Sequence, residues 1–193
     1  MRIVLVEDSQ IIRLDCRQIL ELAGFQVVGE GSDGIDAINL CRSLRPDVVL
    51  LDIEMPQLDG ISAARQIIAE HLCHAIVFLT AFFEDALIRE AMDVGAFGYL
   101  VKPLDEKTLV STVQVAYAKS IKSRNLEERL DELAKKLEDR KTIERAKGIL
   151  MRRNGMDEHT AYALMRTLSM EKQMPMKDIA DYLVFSEAEN RTR

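Results

Sequence analysis

The first 120 residues contain short apolar segments that alternate with longer amphipathic segments, and this alternation restricts the possible folds more than any other feature of the chain. The apolar segments are residues 3–6, 26–30, 48–51, 75–79 and 98–101. The amphipathic segments are residues 10–23, 34–44, 60–71, 85–94 and 106–117. Apolar strands that are joined by crossover helices form a parallel sheet with helices on both faces. The sequence therefore predicts a doubly wound α/β domain with five parallel strands.

Charged and hydroxyl side chains follow four of these five strands at their carboxyl ends. Glu7 and Asp8 follow the first strand, Asp52 follows the third, Thr80 the fourth and Lys102 the fifth. In an open α/β sheet, ligands bind in the crevice beyond the carboxyl ends of the strands. Three carboxylates gathered there suit a hard divalent cation such as Mg²⁺, while an ammonium and a hydroxyl group suit phosphoryl oxygens. A carboxylate neutralised in this way can attack phosphorus and form an acyl phosphate.

Each of these residues also has an ordinary structural explanation. Asp52 could cap a turn, Lys102 could be a solvated strand end, and Thr80 could be a hydrogen-bonded core residue. Asp59 and Gly60 fit a tight turn after the third strand. The coincidence of the polar residues at four strand ends nevertheless favours a phosphoryl site over four unrelated structural roles.

Composition and cysteine usage exclude several other classes of protein. No apolar run approaches the roughly 20 residues of a membrane-spanning helix, and the start of the chain lacks the apolar segment of a signal peptide. We therefore expect a cytoplasmic protein without a membrane partner. Cys16, Cys41 and Cys73 are an odd number without paired spacing, which argues against a disulfide framework or a zinc site.

Between Pro103 and Gly148 the chain contains 44 residues without proline or glycine, which predicts a long linker helix. A leucine seam recurs within it at spacings of four, three and four residues, formed by Leu126, Leu130, Leu133 and Leu137. This pattern is typical of a coiled coil, but it covers only about two heptads. A homodimer through the leucine seam and a helix that packs on its own domain therefore both remain open.

The last third of the chain predicts three short helices around a small common core. Asn154 and Gly155 end the first helix, Asp157 caps the second, and Pro175 opens the third. Basic residues expected outside this core are Arg145, Lys147, Arg152, Arg153, Arg166, Lys172 and Lys177. The small residue Gly148 would let another backbone come close to this surface. Such a surface could contact nucleic-acid phosphates, or it could simply keep the helices soluble.

The segments VEDS, LLDIEMPQLDGI, FLTA and YLVKP, in that order and spacing, resemble the receiver domain of bacterial two-component response regulators. The resemblance covers residues 1 to about 120. It implies a flavodoxin-like fold in which a sensor histidine kinase transfers a phosphoryl group to Asp52. It also implies that Thr80 and Lys102 bind the phosphoryl group and that Tyr99 is an aromatic switch residue.

The same resemblance implies a magnesium site. Glu7, Asp8 and Asp52 would hold Mg²⁺ with help from the main chain of Glu54. A receiver domain passes a phosphoryl group to itself and then loses it to water, so we do not expect an enzyme.

The segments IERAKGILM, TAYALMRTLSM and KDIADYL resemble the ANTAR domain, a helical RNA-binding output module of transcription antitermination regulators. The resemblance covers residues 133 to 185, and it implies that phosphorylation promotes dimers which bind RNA hairpins in a leader transcript. The candidate RNA-binding residues are Arg145, Lys147, Gly148, Arg152, Arg153 and Arg166. A tail that binds DNA, or that only mediates dimerisation or protein docking, is the alternative.

These interpretations divide the chain into four parts. We expect a receiver domain over residues 1–120 and a helical linker over residues 121–137. A small three-helix, all-α domain follows over residues 138–186, and residues 187–193 form a polar tail.

Overall fold

A computed structural model describes residues 1–81 and 85–191, with side chains described for residues 1–81 and 89–187. The chain divides into two compact units, Met1–Asn125 and Leu126–Arg193. The strands are β1 (Arg2–Val6), β2 (Gln26–Gly31), β3 (Val48–Asp52), β4 (Ala75–Thr80) and β5 (Gly98–Val101). The helices are α1 (Gln10–Leu22), α2 (Gly34–Leu44), α3 (Gly60–Ala69), α4 (Asp85–Asp93), α5 (Glu106–Asn154), α6 (Glu158–Lys172) and α7 (Met176–Arg191).

The first unit is built on a parallel sheet with the strand order β2-β1-β3-β4-β5. Alternate side chains of β3 enter opposite layers of the core, because successive residues of a strand point to opposite faces. Val49 and Leu51 pack with residues of α2 and α3. Val48 and Leu50 pack with residues of α1 and the first part of α5. The predicted doubly wound, five-stranded fold is confirmed.

The fifth helix is much longer than the amphipathic segment 106–117 that we assigned to it. α5 extends over 49 residues, from Glu106 to Asn154, and so contains the linker and the first helix of the tail. No proline or glycine interrupts α5 before Gly148, and Gly148 itself lies within the helix. The helix ends beside Gly155, which has the positive φ of 64° that favours glycine.

The second unit joins the end of α5 to α6 and α7 around a small apolar cluster. Asp157 caps α6 as predicted, since its carboxylate accepts a hydrogen bond of 2.7 Å from the main-chain N–H of Thr160. The buried core residues are Ala146, Leu150, Ala161, Met165 and Ala180. α7 continues to Arg191, so most of the segment that we took as a polar tail is helical, and residues 192–193 lie outside the described residues.

Two further features of the second unit concern its surface. All four leucines of the leucine seam are more than half exposed. Tyr162, Tyr182 and Phe185 are exposed as well.

Among the described residues, no helix is both long enough and apolar enough to cross a membrane.

Candidate functional site

Four of the predicted site residues converge at the carboxyl edge of the sheet. Carboxylate oxygens of Glu7, Asp8 and Asp52 lie within 4.8 Å of one another. The Lys102 Nζ lies 2.7 Å from Glu7 Oε2 and 2.9 Å from Asp52 Oδ2. The parallel sheet causes this convergence, because β1 and β3 are neighbours and their carboxyl ends point the same way.

The acids of this site are crowded and partly removed from water. Glu7 and Asp52 are buried, whereas Asp8 is exposed. Burial raises the pKa of Glu7 above its ordinary value, although the hydrogen bond from Lys102 acts in the opposite direction. Burial likewise raises the pKa of Asp52 against the opposing effect of Lys102. For Lys102, burial alone would lower the pKa, but its hydrogen bonds to Glu7 and Asp52 outweigh burial and raise it.

The three carboxylates fit a magnesium ion. One ammonium cannot balance three ionised acids, so the site favours a divalent cation. The exposed Asp8 leaves one side open to water, which suits an ion that keeps part of its hydration shell. The main-chain N–H of Glu54 lies near the Asp52 carboxylate and opposes the effect of burial on the pKa of Asp52.

The loop after Asp52 is held by a close approach between two main-chain segments. The N–H of Gly60 donates a hydrogen bond of 2.9 Å to the carbonyl of Ile53. A β-carbon at Gly60 would lie 2.0 Å from the main-chain oxygen of Asp52, a distance that no side chain can occupy. Gly60 is therefore required by the backbone around Asp52. The turn predicted at Asp59 and Gly60 is also the start of α3, where Asp59 accepts a hydrogen bond of 2.8 Å from the N–H of Ser62.

The sequence did not reveal a second anchor of this loop. Gln57 has a φ of 64° and its Nε2 donates a hydrogen bond of 3.0 Å to Asp33 Oδ2. The other oxygen of Asp33 caps α2. The N–H of Gly34 also donates to the carbonyl of Leu58, at 3.0 Å. Asp33 was assigned no role from the sequence, and its contact with Gln57, 24 residues away, depends on the fold.

Thr80 and Tyr99 lie on the last two strands. Thr80 is buried at the end of β4, and its carbonyl accepts a hydrogen bond of 2.8 Å from the N–H of Lys102. Since Asp52 pairs with Leu79, Thr80 ends its strand beside the acidic site. Tyr99 lies on the edge strand β5, opposite Phe78, with 39% of its surface exposed.

Four of the predicted RNA-binding residues of the second unit are exposed cations. Arg145, Arg152, Arg153 and Arg166 are exposed, and within residues 89–187 none of them forms a salt bridge. Helical spacing places Arg145, Gly148 and Arg152 on one face of α5. The Arg152 guanidinium lies over Gly148, 3.3 Å from where a β-carbon would be.

Lys147 differs from these arginines, and the prediction that it remains outside the core is wrong. It is only 6% exposed, and its Nζ lies 2.8 Å from Glu144 Oε2 and 2.7 Å from Glu158 Oε1. The hydrogen bonds that the Lys147 ammonium donates to these two carboxylates raise the pKa of Lys147. Because Glu158 belongs to the first turn of α6, Lys147 joins α5 to α6.

Comparison with known proteins identifies both parts of the chain. Residues 3–114 match the family model of the response regulator receiver domain, and residues 131–184 match that of the ANTAR domain. The transcriptional regulatory protein PdtaR of Mycobacterium tuberculosis is 36% identical over 183 residues, covering 95% of this chain and 89% of its own length. The response regulator UvrY of Escherichia coli is 38% identical over 119 residues, which cover 61% of this chain and 55% of UvrY.

Solved structures resemble the first unit. The receiver domain of the putative response regulator NarL from Mycobacterium tuberculosis matches with a TM-score of 0.58 and 31% identity, over 61% of this chain and 95% of that one. A CheX–CheY–BeF₃–Mg²⁺ complex from Borrelia burgdorferi matches with a TM-score of 0.56 and 26% identity, over 58% of this chain and 86% of that one. Both matched families are regulatory rather than enzymatic, as the sequence predicted. The chain belongs to the response regulators and joins a receiver domain to an ANTAR domain.

Proposed function

We propose that a sensor histidine kinase phosphorylates Asp52 and thereby controls binding of the ANTAR unit to hairpins in leader transcripts, which promotes transcription antitermination. The convergence of Glu7, Asp8, Asp52 and Lys102 at one edge of the sheet is the observation that carries this proposal. The two proposed partners, a kinase that acts on the receiver and newly made transcripts, imply a cytoplasmic location.

In the proposed transfer, an Asp52 carboxylate oxygen attacks the phosphorus of a phosphohistidine. A P–O bond forms to Asp52, the P–N bond breaks, and the imidazole leaves with the electron pair. Lys102 turns from the carboxylates toward the incoming phosphoryl oxygens, and the Thr80 hydroxyl donates a hydrogen bond to one of them. Glu7, Asp8, Asp52 and the main chain of Glu54 would hold Mg²⁺, which would supply charge neutralisation. Repositioning of Thr80 and Tyr99 would then report the phosphorylated state.

For the RNA surface, we propose the face of α5 that contains Arg145, Gly148 and Arg152, together with Arg153 and Arg166. Unpaired, exposed guanidinium groups can hold phosphates in two-pronged hydrogen bonds without first breaking a salt bridge. Gly148 has no side chain, so a sugar or phosphate that displaces the Arg152 guanidinium can come close to the backbone there. Lys147 serves this surface indirectly, since its ammonium joins the two helices that carry the arginines.

A homodimer through the leucine seam fits this function. Four exposed leucines on one stripe of α5 are the surface that a second copy of the same helix would cover. Two ANTAR units held together would bind paired hairpins with a high effective concentration for the second contact.

The test measures RNA binding by the full chain before and after treatment with acetyl phosphate and Mg²⁺. A pool of hairpin leader RNAs is compared with duplex DNA of equal charge in an electrophoretic shift assay, at several salt concentrations. We expect phosphorylation to strengthen binding to hairpin RNA, and Asp52→Asn to remove this response.

Two variants separate the proposed surface from general charge effects. The double variant Arg145→Ala/Arg152→Ala should lose most RNA binding. Lys136→Ala, which removes an exposed and salt-bridged cation from the same helix, should retain it. Preference for duplex DNA would favour the DNA-binding alternative, and no nucleic-acid binding at any salt would favour the docking alternative.

A further inference from the structure

Arg13 lies in the first turn of α1, with its guanidinium against the carboxyl ends of β1 and β2. Its Nη1 donates a hydrogen bond to the main-chain oxygen of Glu7 and lies 3.5 Å from that of Gly31. Its Nε lies 3.7 Å from Glu30 Oε2, and only 19% of the side chain is exposed. A guanidinium buried to this degree, with one main-chain acceptor just after β1 and another at the end of β2, is held in one place.

The carbonyl of Glu7 has a particular position in the site. The N–H of Glu7 still belongs to the sheet and donates to the carbonyl of Gly31 at 3.2 Å, but the chain then leaves β1 for α1. The peptide that follows joins Glu7 to Asp8, and both side chains contribute to the acidic cluster. A hydrogen bond to the Glu7 carbonyl therefore fixes the plane of this peptide, and with it the directions in which the two side chains leave the chain.

We propose that Arg13 is a positioning residue for the divalent-cation site: by holding the Glu7 carbonyl, it sets the separation of the Glu7 and Asp8 carboxylates. This inference rests on the proposed magnesium site. Groups behind the ligands of a metal site orient those ligands, and their loss typically weakens metal binding by about 10- to 100-fold.

The direction of the change in cation affinity distinguishes a positioning role of Arg13 from a purely electrostatic role. Arg13 carries a positive charge close to the acids, so its charge alone repels a divalent cation. Removing that charge should tighten cation binding, whereas removing the orienting hydrogen bond should weaken it. The two explanations thus predict opposite changes for Arg13→Met.

The chain offers a matched control on the next turn of α1. Arg17 has the same charge and shares the partner Glu30, with its Nη1 2.5 Å from Glu30 Oε1. Its Nε lies 2.9 Å from Glu21 Oε1, and the described contacts of Arg17 do not include the Glu7 carbonyl. Arg17→Met therefore removes a nearby charge and a salt bridge with Glu30 while leaving the Glu7 peptide in place.

The experiment titrates the full-length unphosphorylated protein with Mn²⁺ and measures free Mn²⁺ by electron paramagnetic resonance. We expect the Kd of Arg13→Met to rise about tenfold over wild type, while Arg17→Met changes it by less than about twofold. The Kd of Arg13→Lys should lie between those of Arg13→Met and wild type, because lysine restores the charge and a donor but not the planar guanidinium. The unfolding midpoint without cation is recorded for each variant.

A Kd for Arg13→Met that is unchanged or lower than wild type overturns the proposal, as does a loss of stability with an unchanged Kd. If Arg13→Met does not fold, Arg13→Lys decides, and a Kd equal to wild type overturns the proposal. Failure of wild type itself to bind Mn²⁺ overturns the proposed cation site, and the role of Arg13 with it. Failure of the cation site is thus distinguished from failure of the role of Arg13, because the first is seen in the wild-type protein and the second only in the Arg13 variants.

Discussion

Replacement of Gly60 by alanine tests whether the backbone around Asp52 depends on the absence of a side chain. Gly60 is the first residue of α3, where alanine would normally stabilise a helix by up to about 1 kcal/mol. At this position, however, the new β-carbon would lie 2.0 Å from the Asp52 oxygen and 3.1 Å from the Ile53 α-carbon. Both atoms belong to the main chain, so no rotamer change can relieve the contact. We therefore expect a net destabilisation of roughly 3 kcal/mol, within the range of overpacked core sites.

Gly148 supplies the matched control, because it is also a helical glycine. A β-carbon there would meet only the flexible end of Arg152, at 3.3 Å. Gly148→Ala should therefore stabilise its unit by about 0.5–1 kcal/mol, the usual gain of alanine over glycine within a helix. The same chemical change is thus expected to have opposite signs at the two positions.

The assay is hydrogen exchange followed by mass spectrometry, which reports the two units of the chain separately. A loss of 3 kcal/mol accelerates exchange in peptides from β3 and α3 on the order of 100-fold, while peptides from α6 stay at the wild-type rate. The rate of Asp52 phosphorylation by acetyl phosphate should fall as well, because the loop must move. Wild-type exchange in β3 and α3 of Gly60→Ala, together with a wild-type labelling rate, would refute this reasoning.

Asp52→Asn removes the proposed nucleophilic oxygen, so acetyl phosphate should leave no hydroxylamine-sensitive label, whereas Asp59→Asn on the same loop should be labelled normally. Lys147→Met leaves the Glu158 carboxylate without its cation, and hydrogen exchange in α6 should therefore accelerate; unchanged exchange would contradict a joining role for Lys147. Protons compete with Mg²⁺ for carboxylates, and burial raises the pKa of Glu7 and Asp52. Titration calorimetry should accordingly show Mg²⁺ affinity falling with decreasing pH while the pH is still above 4.5, the ordinary pKa of a glutamate; constant affinity down to that pH would contradict the burial effect.

The fold and the acidic site were accessible from sequence because both follow from local patterns. Alternating strand and helix segments specify a parallel sheet, and the sheet brings the residues after its strands to one edge. Glu7, Asp52 and Lys102 could thus be placed together without knowledge of side-chain contacts.

What the sequence could not reveal depends on partners distant along the chain. Lys147 looked like another surface cation, since its partner Glu158 lies beyond the turn that ends α5. The contact of Gln57 with Asp33 likewise joins segments 24 residues apart. Arg13 had no recognisable pattern at all, because its principal partner is a main-chain carbonyl.

The exposed leucine seam makes the proposed dimer depend on the cellular concentration of this protein. The concentration of any dimer formed through these leucines increases with the square of the monomer concentration. Expression level would then act as a second input beside the phosphorylation signal, and a few-fold rise in synthesis could produce pairs without a stimulus. A bacterium that uses such a regulator has reason to keep its copy number low and constant.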